Sequence, residues 1–168
     1  MAIALLTLAL VGTLCLGGTL ALGYRAAQQV TLVRVHFLAA LATTTILVMA
    51  HSFIMFFLIA TGVELKEMEK AEGWGDSFRR RTVAFKSRVF PLMTFALLLV
   101  MANFILGAAA HTHAIPGWLH GVLAWTTLIV CLAALGREYL VLGENNRLIE
   151  EAGLRRAAGE RAHTAARR

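Results

Sequence analysis

Four apolar runs, at about residues 2–23, 35–63, 89–110 and 118–139, dominate the sequence. Each is long enough to cross the ~30 Å hydrocarbon core of a bilayer, which takes about 20 helical residues. In lipid every backbone polar group must be satisfied within the chain, so runs of this length admit helices and little else. The sequence therefore predicts an all-α integral membrane protein. It is expected to form a four-helix up-down bundle over residues 1–142, followed by a tail over residues 143–168 that is either an amphipathic surface helix or partly disordered. Composition agrees: of 168 residues 58% are hydrophobic and 15% charged, against about 45–50% and about 25% in soluble domains.

The first run has no basic residue before it and is longer than the apolar stretch of a signal peptide, so a retained helix is expected. Cys15 and Cys131 lie in different runs, which leaves neither a disulfide framework nor a paired-cysteine motif. Between the third and fourth runs, HTHAIPG (residues 111–117) reads as a tight turn, because proline cannot continue a helix and glycine accepts positive φ. Pro91 is expected in the first turn of the third helix, where its missing N–H is harmless. Trp74, Trp118, Tyr24 and Tyr139 lie near run ends, as interfacial aromatics do. No internal repeat stands out in the sequence.

The charges orient the bundle. Of 16 basic residues, all but Arg25 and Arg34 fall in the segments from Glu64 to Arg88 and from Arg137 to Arg168. The positive-inside bias then places the central loop, the tail and both termini in the cytoplasm of a bacterial-type inner membrane. A net charge of +6 distributed in this way points to headgroups, Arg79-Arg80-Arg81 above all, and not to nucleic acid. All ten acidic residues share those two segments, so no carboxylate is expected inside the hydrocarbon layer. Together with the lack of a Ser-His-Asp or H-E-x-x-H pattern, this argues against an enzyme acting by itself and against a proton-driven transporter.

Histidines carry the functional expectation. His36, His111, His113 and His120 come from three segments yet share the outer depth, and neutral imidazoles without carboxylates suit haem iron, copper or zinc. His51 lies about 22 Å deeper than His36 and about 60° round the same helix, where Met101 and Cys131 reach a comparable depth. Two histidines at two depths on one helix resemble the arrangement of membrane b-type cytochromes, in architecture and without a family motif. Arg34 is expected to serve as a headgroup anchor, with a haem propionate or a quinone oxygen as the alternatives it could hold.

Each of these residues also has a structural reading. A histidine at a helix end is an interfacial polar group, His51 bonds a carbonyl or a threonine, and Asn103 bonds across helices. The leading expectation is a haem b subunit, with copper as runner-up, that transfers electrons or handles a cofactor in a respiratory-type complex. Its partners would be lipids and other integral membrane subunits or further copies of itself. The alternative is a cofactor-free accessory subunit that stabilises a larger membrane complex, and a third is a metal chaperone using the HTH turn.

Overall fold

Helix runs almost unbroken through the computed structural model, which describes residues 1–167; Arg168, one of the tail arginines, lies outside them. Four helices, α1 (Ala2–Ala26), α2 (Val33–Glu72), α3 (Ser77–His111) and α4 (Gly117–Ala166), are joined by three short connections. All four are long and apolar enough to cross a membrane. Their outward faces carry large apolar side chains such as Phe56, Leu98, Ile105 and Ile129, a surface suited to lipid.

The connections have identifiable causes. A 3-10 turn at Val30–Leu32 leads into α2. α2 stops at Gly73, whose φ of 66° returns its amide to the Glu69 carbonyl, a left-handed cap that costs glycine no strain. The buried Glu69 carboxylate then accepts the amides of Phe78 (2.6 Å) and Arg79 (2.9 Å). A carboxylate at the end of one helix thus caps the start of the next, where free N–H groups favour negative charge. The α3–α4 turn passes through His113 at φ 60°.

Two expectations change. α3 begins at Ser77, well before the apolar run, so Pro91 lies inside the helix and leaves the Ser87 carbonyl without its helical donor. The charged segment Arg79–Arg88 is helical because its arginines, Ala84 and Lys86 are good helix formers, and the buried Phe78, Thr82 and Phe85 form a stripe at helical spacing. α4 likewise runs on through the residues set apart as a tail, with Asn145, Leu148 and Ala152 still buried.

A repeat invisible in the bare sequence emerges from burial. The shift along the chain that carries Gly23 onto Gly107 also carries His36 onto His120, Ala40 onto Ala124, Thr43 onto Thr127, Ala50 onto Ala134 and Leu58 onto Leu142. It carries the buried stripe of α2 (Thr43, Leu47, Ala50, Ile54, Leu58, Thr61) onto that of α4 (Thr127, Cys131, Ala134, Glu138, Leu142, Asn145). Ala9, Gly12 and Leu16 of α1 likewise match Met93, Ala96 and Val100 of α3, all buried. The bundle is therefore two equivalent hairpins, α1–α2 and α3–α4. α2 touches α4 across the centre, whereas α1 and α3 do not meet among the described residues, so the pseudo-two-fold axis runs between α2 and α4.

Candidate functional site

Residues that are mates under this repeat approach one another only near the axis, and two such pairs mark its ends. At the end away from the termini, His36 of α2 and its mate His120 of α4 occupy equivalent positions. Both are half-buried. Each lies on a glycine of its own hairpin: a Cβ on Gly23 would come within 2.9 Å of Cε1 of His36, and one on Gly107 within 2.9 Å of Cε1 of His120. The missing side chains let both rings settle against helix backbone. Nδ1 of each ring is buried and has no hydrogen-bond partner among the described residues. Beside them, Trp125 Nε1 donates to the Tyr24 hydroxyl at 3.0 Å, tying α4 to α1.

The other outer candidates are placed differently. His111 and His113 are exposed, at the end of α3 and in the turn, and Arg34 is exposed at the start of α2. Met101 is 50% exposed on the outward face of α3. Among the described residues no group of three or more His, Cys, Asp and Glu side chains is assembled to hold a metal ion. What the fold presents at this end is one half-buried imidazole from each hairpin, each resting on a glycine.

Deeper on the axis, His51 Nδ1 lies 2.5 Å from Glu138 Oε1, and both side chains are fully buried. This corrects the expectation of a layer without carboxylates and supplies a partner for His51 that is neither carbonyl nor threonine. Glu138 follows the basic Arg137 at the end of an apolar run, which disguised it as an interfacial residue. Its mate Ile54 sits well inside the α2 run, and that is the level Glu138 occupies. A signal was present: Glu138 lies two helical turns from both Cys131 and Asn145, on one stripe of α4. Nε2 of His51 and Oε2 of Glu138 are buried and have no partners among the described residues. Asn103, expected to bond across helices, has a buried Oδ1 with no partner; its mate Thr19 does bridge, to Thr43 at 3.0 Å.

Towards the charged end, Thr61 Oγ1 lies 2.9 Å from Asn145 Oδ1 and 2.9 Å from the Phe57 carbonyl. Thr61 and Asn145 are mates, so here the axis passes through a hydrogen bond. The bundle thus carries polar groups at three levels, the half-buried His36 and His120 and the buried His51–Glu138 and Thr61–Asn145 pairs, with Leu47, Ile54, Leu58 and Leu142 buried around the inner two. The imidazole pair can offer two nitrogen lone pairs from opposite hairpins. The His51–Glu138 pair can share or exchange a proton out of contact with water.

Comparison with protein-family models, with curated proteins and with solved structures finds no match for this chain.

Proposed function

We propose that this chain is a multi-pass protein of a bacterial-type cytoplasmic membrane, with its charged end and both termini in the cytoplasm, and that it binds haem b through His36 and His120. The orientation rests on the basic residues gathered at one end. The cofactor reading rests on one observation: equivalent histidines of two repeated hairpins stand at the same end of the bundle, each laid on a glycine and each with a buried Nδ1 that has no partner among the described residues.

Two imidazoles are sufficient protein ligands for a haem iron, because the macrocycle supplies four nitrogens of its own. Zinc or copper(II) at a protein site takes three or four side chains, and copper(I), content with fewer, is the runner-up. Haem supplies one-electron chemistry; the protein's part is to hold both rings, exclude water and present Arg34 at the rim to an anionic substituent. Such a subunit would pass electrons, or handle the cofactor, beside other integral membrane subunits or further copies of itself.

A second reading, a cofactor-free accessory subunit, takes the His51 Nδ1–Glu138 contact as a buried tie between α2 and α4. A pyridine haemochrome spectrum with elemental analysis of detergent-solubilised protein separates the two. The haem reading expects a Soret band that disappears in His36→Ala and in His120→Ala and persists in a His111→Ala/His113→Ala double variant. Absence of both haem and stoichiometric metal would leave the accessory reading.

A further inference from the structure

The charged end of α3 pairs its cations selectively. Arg80 meets Asp76 (3.3 Å), Arg81 meets Glu151 (2.7 Å) and Arg88 meets Glu144 (2.9 Å). Lys86, within the same stretch, meets no carboxylate among the described residues, although it is half-buried. Its ammonium is folded onto α2, into the space that a side chain on Gly62 would fill. A glycine on one helix therefore fixes where an unpaired cation on the next one stands.

Beside that cation lies a groove of about 740 Å³, lined by Met55, Ser87, Phe90, Pro91, Phe95 and Leu98 among others and almost wholly apolar. It opens to the outward surface and follows α3 towards the middle of the bundle. From Lys86 to Leu98 the helix rises about 18 Å, close to one leaflet of a hydrocarbon core about 30 Å thick. At its head Pro91 removes the amide that would have satisfied the Ser87 carbonyl, so the rim is polar where the wall is not. Burial lowers the proton affinity of Lys86, which stands just before the apolar run; a bound anion opposes that effect.

We propose that this groove binds one anionic phospholipid, its phosphate on the Lys86 ammonium and an acyl chain along Phe90, Phe95 and Leu98. A free phosphate would satisfy the ammonium and leave the groove uncovered; a neutral lipid would cover the groove and leave the cation unpaired. The site uses the membrane placement proposed above but not the cofactor, so the absence of haem leaves it standing.

The test is native mass spectrometry of the chain released from nanodiscs containing equal phosphatidylglycerol and phosphatidylcholine. One phosphatidylglycerol per chain is expected to be retained. Lys86→Ala should reduce its retention about tenfold, the ratio that one charge-assisted contact is worth, while Lys86→Arg retains it. Gly62→Ala, which displaces the ammonium, should weaken retention several-fold, and Arg88→Ala, whose cation already has Glu144, should leave it unchanged. Thermal midpoints in the two lipids separate binding from folding: wild type should be stabilised by phosphatidylglycerol over phosphatidylcholine, and Lys86→Ala should melt alike in both. Equal retention of the two lipids by wild type, undiminished phosphatidylglycerol on Lys86→Ala, or displacement of the lipid by millimolar inorganic phosphate would each overturn the assignment.

Discussion

His51 and Glu138 meet at 2.5 Å with neither side chain exposed, whereas the repeat places Leu135 opposite His51 and Ile54 opposite Glu138. The same fold thus solves the same packing position twice, once with two apolar side chains and once with an imidazole and a carboxylate. A polar pair in this setting costs desolvation that contacts between apolar groups avoid. Stability alone therefore does not explain it.

Substitution separates these terms. Removing one partner strands the other: His51→Leu or Glu138→Ile alone is expected to destabilise the bundle by about 3 kcal/mol, in the range for a broken buried pair. The double variant copies the apolar arrangement of the opposite hairpin and should recover most of that loss. Reversible unfolding in mixed micelles measures the cycle, and a double variant no more stable than the weaker single one would show that the pair is a structural requirement.

The glycines beneath the outer rings give a symmetric prediction. Gly23→Ala and Gly107→Ala each put a methyl within 2.9 Å of an imidazole carbon, so a ring must swing aside. The expected cost is about 1 kcal/mol or more for the overpacking, partly offset by the helix preference of alanine over glycine. Gly17 and Gly18, with nothing within 4 Å of an added Cβ, provide the contrast: alanine there should be neutral or stabilise by about 0.5–1 kcal/mol. Thermal melts of the four variants decide, and equal behaviour would mean that the rings do not rest on the glycines.

Much of this was legible in the sequence. The four apolar runs specify the spans, and the charge asymmetry specifies which ends belong together. The repeat was hidden because few mates are identical. Thr61 corresponds to Asn145, Ile54 to Glu138 and Leu47 to Cys131, replacements that keep burial and change chemistry, and burial is a property of the packed bundle. Glu138 was misplaced for a related reason: α4 continues as one helix past the apolar run, so the end of hydrophobicity and the end of the interior do not coincide. Pro91 was assigned to a helix start because the run begins at Val89, although the preceding cations are themselves helical.

Glu69 allows a local test of the α2–α3 turn. Both of its oxygens accept amides at the start of α3, and Asp76, the residue at the N-cap, makes no capping side-chain bond. Glu69→Ala should therefore cost about 2 kcal/mol, the upper range for losing a cap, whereas Asp76→Ala should cost well under 1 kcal/mol, since it removes only an exposed pair with Arg80. Hydrogen exchange at Phe78 and Arg79 should rise in the first variant and not in the second.

The contact between the mates Thr61 and Asn145 is asymmetric, and the asymmetry fixes the order of two substitutions. The Thr61 hydroxyl has a second acceptor at 2.9 Å, the Phe57 carbonyl, so Asn145→Leu leaves it satisfied and replaces a half-satisfied amide, whose Nδ2 has no partner, by an apolar side chain of similar size. That change should be close to neutral. Thr61→Val, in contrast, leaves the buried Asn145 amide with no partner among the described residues, a loss worth about 1–3 kcal/mol for a stranded polar group. The double variant Thr61→Val/Asn145→Leu should regain what Thr61→Val loses. Unfolding midpoints of the three variants test the order; if Asn145→Leu proved the more damaging, the amide rather than the hydroxyl would be the group that holds α2 to α4 at this level.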